Sequence, residues 1–109
     1  MILVVGGAYQ GKTDFVKHTL GIEEKNTLFN VHDIIRDRLE RGEDPEQILD
    51  IIEDNNIDAV TADEIGMGIV PMDKADRIWR ERTGRIICRI AAKADTVYRL
   101  CAGIPMRIK

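Results

Sequence analysis

The sequence predicts an α/β domain with a mainly parallel sheet covered by helices. Three observations predict it. Strand-like and helix-like segments alternate along the chain. A short apolar run, Ile2-Leu3-Val4-Val5, is followed at once by a glycine-rich turn and a helix. The length of 109 residues suits one compact domain and leaves no room for a second.

The elements follow in order. Ile2 to Val5 is a fully buried strand, and Gly6-Gly7 ends it. A helix is expected from near Gly11-Lys12-Thr13 to Gly21, a good terminating residue. Thr27 to Asn30 is a second strand. Asn30 then caps a helix with Val31, Ile34, Ile35 and Leu39 on one face, and Gly42 stops it. Asp44-Pro45-Glu46-Gln47 starts a further helix, with Asp as cap, Pro at the first helical position and Gln placed to reach back. Its apolar face is Ile48, Leu49, Ile51 and Ile52. Ile57 to Ala62 is a third strand. Asp73 caps a long helix with Ala75, Ile78, Trp79, Ile86, Ile90 and Ala94 at helical spacing. Gly84 inside that helix suggests a close packing contact. Thr96 to Ala102 is a fourth strand, and Met106 to Lys109 an edge strand after Pro105.

Composition narrows the function classes. The net charge is -3 and aromatic residues are 5%, which argues against a nucleic-acid binder relying on phosphate attraction or base stacking. No apolar run approaches a membrane span, and no basic, cleavable leader is visible, so the chain reads as cytoplasmic. Cys88 and Cys101 form no metal-ligand pattern and read as reduced, buried thiols. A core of this size is marginal, so self-association is a natural supplement.

Gly6, Gly7, Ala8, Tyr9, Gln10, Gly11, Lys12 and Thr13 fit the phosphate-loop pattern G-x-x-x-x-G-K-[ST] without mismatch. The glycines let successive N–H groups point inward at phosphate oxygens, and the helix behind adds its positive end. Lys12 supplies a point charge for the β- and γ-phosphates. Thr13 offers a hydroxyl to Mg²⁺. The pattern does not choose between GTP and ATP, and it assigns no role to Tyr9 or Gln10. The bland alternative is a glycine-rich turn with an accidental lysine.

Asp63 and Glu64 end the third strand and are followed by Gly66-Met67-Gly68 and Pro71. Carboxylates at a strand end beside a phosphate loop can hold Mg²⁺ directly or through water. Equally, they can cap a helix or a turn.

With the phosphate loop, Asp63-Glu64-Ile65-Gly66-Met67-Gly68-Ile69-Val70-Pro71, Gly84-Arg85, Ala91 through Tyr98, and Ala102-Gly103-Ile104-Pro105 through Ile108-Lys109, the sequence resembles the adenosylcobinamide kinase / adenosylcobinamide-phosphate guanylyltransferase family. The run from Glu64 through Pro71 is its specific part. The resemblance implies a RecA-like P-loop fold. It implies phosphorylation of the aminopropanol hydroxyl of adenosylcobinamide, then attachment of GMP from GTP through a guanylylated histidine. It also implies a trimer sharing active sites between subunits. The chain departs from the family in lacking most of its middle, which carries the histidine segment, a further acidic strand end and part of the corrin-binding surface. It also has Asp63 where the family usually has Asn.

Only His18 and His32 could be the nucleophile. His18, on the phosphate-loop helix, reads as structural. His32 sits in the first turn after Asn30, near the edge where phosphates should lie, and a helix N-terminus favours its neutral ring. An ordinary histidine at a helix start fits equally well. Arg77, Arg80, Arg82, Arg85 and Arg89 crowd one helix. They read as a solvated face with Glu81 pairing Arg85, or as a source of one arginine, Arg85, for phosphate or a neighbour's site.

Three functions remain open at this point. One is a compact nucleotide-dependent kinase or guanylyltransferase, with Lys12, Thr13, Asp63, Glu64 and His32 as its machinery. Another is a nucleotide-binding or assembly module without catalysis. The last is an unrelated small-molecule kinase on the same scaffold.

Overall fold

The structure is a computed structural model and describes residues 1–65 and 73–109. The expected turn through Gly66, Met67 and Gly68 to Pro71 lies outside the described residues. Among the described residues the sheet has five strands in the order β2-β3-β1-β4-β5. These are β1 (Ile2–Gly6), β2 (Thr27–Leu28), β3 (Ala59–Asp63), β4 (Thr96–Cys101) and β5 (Ile104–Arg107). β1 pairs in parallel with both β3 and β4, β2 pairs in parallel with β3, and β5 is antiparallel to β4. This is the mostly parallel α/β sheet of a reduced P-loop NTPase fold.

The phosphate-loop strand is therefore central, with strands on both sides. Its residues Leu3, Val4 and Val5 are buried on both faces. Alternation sends Leu3 and Val5 to one face and Val4 to the other. Leu3, Val5, Val60, Ala62 and Val97 pack against α2 (Val31–Glu40), α3 (Gln47–Asp54) and α4 (Lys74–Lys93). Val31, Ile35, Ile48, Ile52, Ile86 and Ile90 are the helical half of that core. Val4, Ala59 and Leu100 meet Phe15 and Val16 on the opposite face.

The helix behind the loop is shorter and less regular than expected. α1 covers Lys12–Asp14 and continues as a π-helical turn over Phe15–Thr19. The wide turn still seats Phe15 edge-on against Tyr98, with ring centroids 5.1 Å apart. Asn30 precedes α2 as expected, but its side chain does not cap it. Its backbone is left-handed, φ 55°, and its N–H donates to Thr61 Oγ1 at 2.9 Å. Gln47 does not reach back either, because its side chain accepts from Arg38. Asp73 does cap α4, accepting from the Ala75 N–H at 2.8 Å.

Several expectations about packing are corrected. Cys88 and Cys101 are exposed rather than buried. Cys88 falls off the Ile86–Ile90 stripe of α4, and Cys101 lies on β4 at its junction with the β4–β5 turn. Ala75 and Ile78 are exposed, so the buried stripe of α4 includes Thr83, Ile86 and Ile90 but not those two. Pro105 lies inside β5, opposite Leu100, and not before it. β5 is an edge strand, where the missing N–H of proline costs no ladder bond if it faces outward.

Gly84 is exposed, and a Cβ built there meets nothing within 4 Å. Among the described residues the expected close packing contact is absent. Gly84→Ala should therefore stabilise the chain by about 0.5–1 kcal/mol through helix propensity. A urea-denaturation midpoint checks the sign.

Candidate functional site

The phosphate loop leaves β1 at Gly6 and enters α1 at Lys12. Two of its residues have positive φ, Tyr9 at 61° and Gly11 at 82°. The loop forms one wall of a cavity of about 340 Å³ lined by Ala8 through Asp14, Asn30, His32, Asp33 and Asp63. In an open parallel sheet this is the expected ligand edge, beyond the carboxyl ends of the strands.

Lys12 is the most enclosed charge in the site, with 6% of its surface exposed. Its ammonium donates to the Gly7 carbonyl at 2.7 Å and pairs with Asp63 Oδ1 at 2.6 Å. Asp63 also meets His32, whose Nε2 lies 3.2 Å from Oδ2. The other ring nitrogen, Nδ1, accepts the backbone N–H of Asp63 at 2.9 Å. A backbone N–H can only donate, so Nδ1 is the acceptor and Nε2 carries the proton. His32 thus grips Asp63 at both its main chain and its carboxylate. A chain of polar contacts runs from Lys12 through Asp63 to His32.

His32 is itself held. It is 6% exposed. The Trp79 indole N–H donates to its carbonyl at 2.8 Å, and the Arg36 guanidinium stacks over the Trp79 ring at 4.5 Å. With the Asn30–Thr61 bond, these contacts stitch the start of α2 to the end of β3. Sequence separation hid them, since His32 and Asp63 are 31 residues apart.

The expected trio for Mg²⁺ is only partly brought together. Thr13 and Asp63 line the same cavity. Glu64 does not, because consecutive strand residues point to opposite faces. Its N–H donates to the Gly6 carbonyl at 2.8 Å, and its carboxylate pairs with Arg99 of β4, at 2.8 Å to Nε and 3.0 Å to a terminal nitrogen. These two residues line a separate recess of about 420 Å³ with Gly7, Gln10, Leu100, Cys101 and Ala102. The hydrogen bonds from Arg99 to Glu64 hold the guanidinium above its ordinary pKa. Nothing in the sequence pattern singled out Arg99.

Among the described residues, no three His, Cys, Asp or Glu side chains gather to hold a metal. One hydroxyl and one carboxylate fit Mg²⁺ arriving on a nucleotide, since that ion keeps several waters and uses substrate phosphates as ligands.

The remaining candidates lie elsewhere. His18 is exposed and borders a small cavity beside Gly103 and Pro105. Arg85 is 66% exposed, pairs with Glu81 at 2.7 Å and does not line the phosphate-loop cavity. Arg80, Arg82 and Arg89 pair with Asp76, Asp44 and Glu46. Tyr9 projects fully into solvent.

The comparisons with known proteins agree with this architecture. The family model described as "Cobinamide kinase / cobinamide phosphate guanyltransferase" matches residues 26–108. That span starts after the phosphate loop, which therefore rests on its own motif. The "Bifunctional adenosylcobalamin biosynthesis protein CobU" of Salmonella typhimurium is 42% identical over 50 residues, 46% of this chain and 28% of that protein. Its Escherichia coli namesake is 38% identical over 50 residues, again 46% and 28%. The aligned stretch thus spans little more than a quarter of either relative. The family match covers well over half of this chain, and the chain belongs to the cobinamide kinase / cobinamide phosphate guanyltransferase family.

Proposed function

We propose that the chain binds a nucleoside triphosphate, GTP or ATP, at Gly6 to Thr13 and transfers its terminal phosphoryl group to a cobinamide-type hydroxyl. The observation that carries this is the placement of Lys12. A buried ammonium stands at the mouth of a phosphate loop, oriented by a carbonyl and a carboxylate. Phosphoryl transfer needs little covalent chemistry from a protein and depends on positioned positive charge.

In this reading the loop N–H groups cradle the phosphates and Lys12 turns from Asp63 toward them. Asp63 and Thr13 orient the hydrated Mg²⁺ that accompanies the nucleotide and neutralises phosphate charge. His32 acts through Asp63 as a positioning residue, keeping the carboxylate aimed into the cavity. Tyr9 and Asp33 border the open side, where an acceptor would enter. Adenosylcobinamide as that acceptor and a trimer are part of this proposal on the strength of the family resemblance, as are Arg85 as a contact to a neighbour's site and a cytoplasmic location on the strength of the sequence.

Transfer of GMP through a guanylylated His32 is a separate matter. The Nε2 of His32 carries a proton and Nδ1 faces a backbone donor, so neither nitrogen presents a free lone pair. This observation favours phosphoryl transfer without guanylylation. It also keeps a second reading, a nucleotide-binding module without catalysis. Incubation with Mg²⁺–GTP or Mg²⁺–ATP and cobinamide tests these readings. The expected outcome is phosphorylated cobinamide with no acid-labile, phosphoramidate-type adduct on the protein. Stoichiometric binding without turnover would support the module instead. An adduct lost in His32→Ala would restore His32 as nucleophile.

A further inference from the structure

Asp63, which ends β3, and Glu64, which follows it, have separate cations. Asp63 takes Lys12 on the phosphate-loop face, and Glu64 takes Arg99 on the face covered by the three long helices. β1 runs between them, with Gly6 opposite both Asp63 and Leu100. The Glu64–Arg99 pair therefore crosses the end of β1 where the phosphate loop begins. It is a two-point, fork-like pair, the geometry in which arginine fixes a carboxylate best. Glu64 is 26% exposed and Arg99 41%, so neither is freely mobile in bulk water.

We propose that Arg99 is a positioning residue for nucleotide binding, one that keeps the Glu64 carboxylate from opposing the bound polyphosphate. This rests on the nucleotide reading above. A triphosphate brings about four negative charges to a loop that already faces Asp63. A second unpaired carboxylate one residue on, at the neck of the loop, would add to that repulsion. Arg99 removes it. Its fork fixes the direction of Glu64, and its charge cancels that of Glu64 at the neck of the loop. Gln10 supports the same arrangement, since its side-chain oxygen accepts the Ala102 N–H and ties the loop to the β4–β5 turn.

The test is calorimetric titration of the full chain with Mg²⁺–GTP, Mg²⁺–ATP and Mg²⁺–tripolyphosphate. Tripolyphosphate isolates the charge effect from base recognition. Arg99→Met is expected to weaken all three by about tenfold at low salt, with a smaller deficit as salt is raised. The double variant Glu64→Gln/Arg99→Met is expected to return to within about threefold of the parent chain, because the repelling charge is gone. Should Arg99→Met fail to fold, Glu64→Gln alone is decisive. It should bind more tightly, since Arg99 then stands uncompensated beside the phosphates. A double variant as weak as Arg99→Met would overturn the proposal, as would weaker binding by Glu64→Gln. The first would mean that Arg99 contacts the ligand itself, the second that Glu64 holds the metal. Unchanged binding by Arg99→Met overturns this inference alone. No binding by the parent chain overturns the nucleotide reading and this inference together.

Discussion

Replacing Lys12 by alanine is expected to lower nucleoside triphosphate affinity by at least a hundredfold, about 3 kcal/mol. Two losses combine. The variant lacks the point charge for the outer phosphates and the charge-assisted contact it makes. It also leaves Asp63, 22% exposed and previously paired at 2.6 Å, facing the incoming phosphates with only the neutral His32 to hold it. The empty cavity then presents net negative charge to a polyanion. Lys12→Arg should recover little, because Lys12 is 6% exposed and the bulkier fork does not fit between the Gly7 carbonyl and Asp63. Thermal unfolding of each variant separates lost binding from lost fold. A Lys12→Ala chain that stays folded and binds as well as the parent would contradict the assignment of the loop.

Gly6→Ala should be the most damaging small substitution for the fold near the site. A Cβ at Gly6 would stand 2.7 Å from the backbone oxygen of Leu100. That oxygen belongs to β4, paired with β1 at this register, and cannot swing aside as a flexible side chain would. The strands must part instead. The expected cost is about 2 kcal/mol or more, read as a lower urea midpoint at unchanged slope. Nucleotide affinity should fall with it. The Glu64 N–H bonds to the Gly6 carbonyl, so a displaced Gly6 carries the neck of the loop and the Glu64–Arg99 pair along. A variant as stable as the parent would show that β1 and β4 are not so closely apposed.

Much of the scaffold was legible from local pattern. The β-branched run at Ile2 to Val5, the glycines after it and the lysine within the loop put a phosphate loop on a buried strand, and β1 lies there. Asp73 followed by apolar residues at helical spacing announced α4, and Asp73 caps it. What pattern could not supply was opposition across the fold. Periodicity tells which face of its own element a residue occupies, not which element stands opposite. The bonds between His32 and Asp63 and between Arg99 and Glu64 join residues 31 and 35 positions apart. Alternation at the end of β3 alone predicts that Asp63 and Glu64 face different recesses, as they do. The cysteines failed for a related reason. Cysteine is buried on average, yet Cys88 lies off the stripe that Ile86 and Ile90 define, and its position on the helix outweighs the average.

His32 has the placement expected of a nucleophile, at the start of α2 beside the ligand edge. Its hydrogen bonds fit the positioning role proposed for it. The backbone of Asp63 takes one nitrogen and the carboxylate takes the other. The ring therefore behaves as a brace between α2 and β3, with Trp79 fixing its main chain from α4.

The most direct measurement is titration of the purified chain with Mg²⁺–GTP and with Mg²⁺–ATP, each repeated on Lys12→Ala. One-to-one binding of at least one nucleotide, lost in Lys12→Ala, is the expected result. Binding of neither nucleotide by a folded parent chain would contradict it and leave the loop as a structural turn.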